Sequence, residues 1–169
     1  MGKPLGILVA FGLALSLAAC GSDEAPERAS DGDGASPTSD TSSFPVTVQG
    51  TNGEIGIDDR PVRIVSLSPT ATEDLFAIGA GEQVIAVDDQ SNFPPEAPVT
   101  DLSGFQPNTE AIAGYEPDLV IAAYDPGGLV TGLEKLDIPV LLQDAAPNLN
   151  AAYEQIGTLG VATGNVESA

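Results

Sequence analysis

The chain has 169 residues, with 5 Lys+Arg against 25 Asp+Glu and a formal net charge of −20 at pH 7. A surface this acidic repels phosphate backbones, which excludes nucleic-acid binding and favours solubility outside the cell. With no His, no Trp and a single Cys, the chain also lacks the commonest general base and the commonest metal ligand.

At the amino terminus Lys3 gives a small positive start, and Leu5 to Leu15 form an apolar run broken only by glycines. The run is shorter than the about 20 residues that a membrane span needs. Leu17-Ala18-Ala19-Cys20 follows, with small residues placed for cleavage and the only cysteine directly after them. This arrangement resembles the bacterial lipobox, in which the chain is cut before a lipid-modified cysteine. Residues 1–19 therefore read as a lipoprotein signal peptide and Cys20 as a lipid anchor. Residues 20–43 read as a disordered tether, because Gly21 to Ser43 holds no large apolar residue to offset its ordering entropy. Such a coil holds a domain on the order of 25–30 Å from its attachment.

Residues 44–169 read as the folded body. Phe44 to Ile57 predicts a hairpin: Val46 and Val48 alternate with polar residues, Asn52-Gly53 marks the turn, and Ile55 and Ile57 alternate on the return. The stretch Arg63 to Gly79 then predicts strand, tight loop and helix. Ile64 to Leu67 is the strand, Thr70 and Glu73 have capping-box spacing, and Leu75, Phe76 and Ile78 give the helix its apolar face. Three more strands are expected at Val84 to Val87, Leu119 to Ala122 and Pro139 to Leu142. Helices are expected at Asn108 to Gly114, Leu129 to Leu136 and Leu149 to Leu159, with a helix-like tail to Ala169. Short apolar strands alternating with helices predict an α/β fold with a Rossmann-like, mostly parallel sheet covered by helices on both faces.

No phosphate-binding loop, dinucleotide fingerprint or nucleophile elbow is present, and Ser66 and Ser68 have no histidine to activate them. Asp88 and Asp89 read as loop solvation more readily than as an acid/base pair. The calcium reading of Asp88 to Asn92 lacks the glycine and distal glutamate of an EF-hand. No enzyme activity and no cofactor are expected. A binding function fits better: loops carrying Ser68 to Thr72, Asp88 to Pro95, Phe105 to Pro107 and Tyr124 to Gly128 follow strands, and so share one edge of the sheet. Phe93, Phe105 and Tyr124 are loop aromatics suited to a flat or greasy ligand, although packing within the loops would explain each equally well. Glu110 stands outside the apolar pattern of its helix, where it can also serve the helix dipole.

These pieces, in order, resemble the N-terminal lobe of class III ABC-transporter substrate-binding proteins, which capture corrinoids or ferric siderophores. The matching stretches are R-I-V-S-L-S-P-T-A-T-E at Arg63 to Glu73, G-A-G-E-Q-V-I-A-V-D at Gly79 to Asp88, S-N-F-P-P at Ser91 to Pro95, G-F-Q-P-N-T-E-A-I-A at Gly104 to Ala113, E-P-D-L-V-I-A at Glu116 to Ala122 and L-D-I-P-V at Leu136 to Val140. The resemblance implies a lipid-anchored extracytoplasmic receptor with an ABC permease as partner and a ferric siderophore or corrinoid as ligand. Its alternatives are a heme or other metal-chelate receptor and, from a different class, a cell-envelope enzyme of flavodoxin-like fold. It implies ligand contacts at Ser68, Thr70, Gln90, Phe105, Tyr124 and Asp125. Glu110 falls where the family pairs a glutamate with permease arginines. Gln90 stands where corrinoid binders can carry an aromatic, and Ala123 where some members have a larger residue. Family members have two lobes around a cleft, and only the first is expected in these residues.

Overall fold

The computed structural model describes residues 43–169. The expected signal peptide, the expected anchor Cys20 and the expected tether up to residue 42 lie outside the described residues. A hairpin opens the body, with strands β1 (Val46–Gly50) and β2 (Gly53–Ile57) paired in the antiparallel register Val48↔Ile55. Four strands then build a parallel sheet: β3 (Ile64–Leu67), β4 (Val84–Val87), β5 (Leu119–Ala122) and β6 (Val140–Leu142), in the order β4-β3-β5-β6. Helices α1 (Pro69–Ala77), α2 (Thr109–Ala113), α3 (Leu129–Glu134) and α4 (Leu149–Thr163) complete the body.

Period-2 geometry sorts the strand residues onto two faces. Ile64, Leu119, Ile121 and Leu141 point to the face covered by the hairpin, α1 and α4, where Val48, Leu75 and Leu159 meet them. Val65, Leu67, Val120 and Val140 point to the other face, under Ile112 of α2 and Leu129 and Leu133 of α3. Both layers are apolar, which is why these strands read as continuous hydrophobic runs rather than alternating ones. A register shift between Ile64 and Val65 interrupts the pairing with β4. Across it, Val84 and Val87 join the first face while Ala86 joins the second.

The first helix departs from the sequence expectation. Its cap is Ser68, whose hydroxyl accepts from the Ala71 N–H at 3.3 Å, and Pro69 occupies the first turn; Thr70 is exposed and caps nothing. Proline has no N–H to lose at that position and its φ is already helical, so Ser-Pro starts the helix two residues earlier than the Thr70–Glu73 pair suggests. Helix α3 ends two residues short of the expected Leu136, and α4 runs on past Leu159 to Thr163. Asp74 lies in the second half of α1. Burial, and then the neighbouring Glu73, raise its carboxyl above the ordinary value. The folded state therefore binds the proton more tightly than the unfolded one, and stability falls as pH rises through the normal and then the raised value. Asp74→Asn should thus stabilise the body near neutral pH, by about 0.5 kcal/mol after solvent screening, and have no effect below the carboxylate range. Urea midpoints at the two pH values read this directly.

The hairpin turn also has a tertiary task. Asn52 donates from its side-chain amide to the Val140 carbonyl at 2.9 Å and accepts from the Leu142 N–H at 3.1 Å, while the Thr51 N–H donates to the Leu142 carbonyl at 2.9 Å. The turn thereby pairs the edge of β6, which would otherwise present free backbone groups. Asn52→Ala leaves one donor and one acceptor of β6 without their partners and should cost about 1–2 kcal/mol in chemical unfolding.

Candidate functional site

The strand order places a switch point at the carboxyl ends of β3 and β5: from β3 the chain moves to β4 on one side, and β5 lies on the other. Loops that leave adjacent strands toward opposite faces open a crevice there, where α/β sheets take their ligands.

A buried chain of hydroxyls ties this edge together. Ser66, the one polar residue in the four sheet strands, is fully buried. Its hydroxyl donates to the Ser68 carbonyl at 3.3 Å and lies 2.8 Å from the Thr72 hydroxyl on α1. Thr72 in turn lies 3.1 Å from the Ser91 hydroxyl, and Ser91 donates to Asp88 at 2.5 Å. The last contact is charge-assisted. So the loop after β4 is bolted to the first turn of α1 through side chains that are all buried. Asp88 is therefore an anchor of this loop, and Asp89 beside it is exposed.

The next segment is held by backbone. The Asp89 N–H donates to the Leu102 carbonyl at 2.7 Å, and Asp88 and Leu102 form a parallel bridge. Gly104 then packs so closely that a β-carbon there would stand 2.5 Å from Asp88 Oδ2 and 2.9 Å from the Leu67 carbonyl oxygen. Ser103 closes the turn by accepting from the Gln106 N–H at 3.1 Å, which leaves Phe105 at the tip. After β5, Tyr124 leads into a turn in which Gly127 and Gly128 take positive φ, and Asp125 accepts from the Val130 N–H at 3.0 Å.

These two loops meet. The rings of Phe105 and Tyr124 have centroids 5.8 Å apart at an interplanar angle of 43°, within the range of favourable aromatic pairs. They remain 64% and 40% exposed, so the pair is a surface and not part of the core. Phe93 is also exposed, at 57%. Of the other sequence candidates, Thr70, Gln90 and Asp125 are exposed, while Ser68 is buried and its oxygen is engaged as a helix cap. Glu110 is exposed in the first turn of α2, which Asn108 caps by accepting from the N–H groups of Glu110 and Ala111 at 3.0 and 3.2 Å. The Thr72–Ser91–Asp88 chain and Gly104 escaped the sequence reading. A signal was present in the lone serine of an otherwise apolar strand, which needs a buried partner.

A roomier recess than the one at this edge lies elsewhere. About 730 Å³ opens beside β2 and the start of β6, lined by residues such as Glu54, Asp58, Arg60, Asp118 and Asp137. It has no aromatic wall and sits at the amino edge of the strands, away from the switch point. At the carboxyl edge a recess of about 190 Å³ lies behind Asp88, between Asn92 and Thr100. Among the described residues no group of three or more acidic or sulfur side chains is placed to hold a metal ion.

Sequence and structure comparisons relate the chain to known proteins. Residues 64–169 match the family described as periplasmic binding protein, and the chain belongs to that family of extracytoplasmic binding proteins. A cobalamin-binding protein of Halobacterium salinarum is 35% identical over 133 residues, covering 75% of this chain and 36% of its own length. An uncharacterized ABC transporter substrate-binding lipoprotein of Bacillus subtilis, YvrC, is 31% identical over 173 residues, covering 97% of this chain and 52% of its own length. The crystal structure of an ABC-type Fe3+-hydroxamate transport system from Saccharomonospora viridis superposes with a TM-score of 0.60 at 23% identity, covering 75% of this chain and 51% of that one. This last likeness is one of fold. The chain thus spans about half, or less, of the length of its relatives, and the described residues form one lobe of the fold. The relatives' names are those of binding proteins and not of enzymes.

Proposed function

We propose that the chain supplies the amino-terminal lobe of an extracytoplasmic receptor that captures a corrinoid or ferric siderophore and delivers it to an ABC importer. The exposed Phe105–Tyr124 pair at the switch point carries the reading, because two rings held on rigid loops suit a flat macrocycle and have no core to fill. The cobalamin-binding name of the archaeal relative favours a corrinoid. Thr70, Gln90 and Asp125 supply polar contacts around the rings, and Ser68 acts by setting the helix that carries Thr70. One lobe covers one side of a ligand, so tight capture needs a second surface across from it.

Delivery is assigned to Glu110, whose carboxylate stands exposed to pair with permease arginines and set the docking orientation. Cys20 anchors the receptor through lipid, and the intact mass of membrane-extracted protein tests this: a diacylglyceryl increment on a chain starting at Cys20 is expected, and an unmodified mass refutes it. Uptake of labelled cyanocobalamin by cells dependent on this receptor tests the function. Wild-type receptor containing this lobe should restore uptake and Glu110→Arg should reduce it about tenfold or more at equal receptor levels; no uptake with the wild-type receptor overturns the reading.

A further inference from the structure

The strand-end edge has a charge pattern that narrows its ligand. The loops and helix starts that form it cover residues 68–74, 88–110, 123–128 and 143–148, and contain no Lys, Arg or His. Exposed Asp89, Asp101, Asp125 and Asp144 stand on these same segments. The cations of the described residues are Arg60, Arg63 and Lys135, and all three belong to the opposite edge. Arg60 donates to the Thr163 carbonyl at 2.9 Å, and Arg63 to the carbonyls of Glu116 and Tyr115 at 2.8 and 2.5 Å, where β3 and β5 begin. Lys135 follows the end of α3, ahead of β6. The four residues of β3 separate the two edges by about 13 Å, more than the Debye length of about 8 Å in physiological salt. Lys3 and Arg28 lie outside the described residues.

We propose that this edge selects by charge: it accepts metal chelates without net negative charge and rejects multiply anionic ones. The inference rests on the receptor reading above and deepens it. Corrinoids with a neutral balance and ferric trihydroxamates, neutral or cationic, share the accepted chemistry. Ferric tris-catecholates carry their negative charge on the outside of the complex and would meet aspartates with no cation to answer them. The rings supply attraction for any flat or greasy chelate, and the aspartates supply the discrimination, by repulsion of the wrong partner.

The test is equilibrium dialysis of the full chain against three coloured probes at low ionic strength: uncharged cyanocobalamin, cationic ferrioxamine B and the anionic iron complex of enterobactin. Cyanocobalamin or ferrioxamine B should be retained at least about tenfold more strongly than the anionic complex, and whichever is retained better identifies the source of the chemistry. Added salt should narrow the gap, and so should Asp89→Lys, which reverses one charge at an exposed position without touching the buried hydroxyl chain. Equal or tighter retention of the anionic complex overturns charge selection and leaves the receptor reading standing. The dialysis is run at millimolar protein, where one-sided contact still registers, and retention of none of the three there overturns the receptor reading, and charge selection with it.

Discussion

Gly104→Ala lowers the stability of the folded body by about 1–3 kcal/mol and weakens ligand retention with it. The added β-carbon would stand 2.5 Å from a carboxylate oxygen of Asp88 and 2.9 Å from the carbonyl oxygen of Leu67. Neither neighbour can yield cheaply. Asp88 is held by Ser91 within the buried hydroxyl chain, and Leu67 is backbone in a central strand. The segment from Ser103 to Gln106 must therefore lift, and the displaced residue next in line is Phe105. Gly157→Ala is the control, since a β-carbon there meets nothing within 4 Å. Replacing that mid-helix glycine of α4 should stabilise the fold by about 0.5–1 kcal/mol. Urea midpoints of both variants, read beside cyanocobalamin retention, separate the loop effect from a general one. Unchanged stability in Gly104→Ala would mean that the loop does not pack on β3 as described.

Phe105→Ala combined with Tyr124→Ala reduces cyanocobalamin affinity by about tenfold or more, a loss of about 1.4 kcal/mol of binding free energy at least. The same double variant changes folding stability by only about 0.5 kcal/mol, because both rings are largely outside the core and exposed positions contribute little. That contrast is the diagnostic. Rings that merely packed the loops would produce the opposite pattern, with a stability loss and no specific loss of ligand. Tyr124→Phe keeps the ring and should keep most of the affinity, which separates the ring face from the hydroxyl. Dialysis and urea unfolding on the same preparations give both numbers.

Most of the architecture was legible because it depends on local signals. Four short apolar runs bounded by Gly, Pro and Asp gave the sheet strands, and Asn52-Gly53 gave the hairpin turn, within a residue of their observed limits. The start of α1 is where local spacing misleads: Thr70 and Glu73 have the spacing of a capping box, yet Ser68-Pro69 is itself a strong cap and first-turn pair and starts the helix. The reach of Asn52 to β6 could not be read locally: its partners lie 88 and 90 residues further along the chain. The site was half legible. Topology alone brings the loops after β4 and β5 to one edge, but only the folded loops reveal that Phe105 and Tyr124 touch. Ser68 illustrates the converse, a polar residue at the expected edge whose oxygen is occupied by a backbone N–H.

The most direct measurement is a titration of the isotope-labelled full chain with cyanocobalamin, followed by backbone amide shifts in NMR. If the strand-end edge is the capture surface, shifts should concentrate at residues 88–92, 104–106 and 123–126, and saturate together. Shifts confined to Glu54, Asp58 and Asp137 around the larger recess, or no shifts at all, would contradict the assignment of ligand capture to the Phe105–Tyr124 edge.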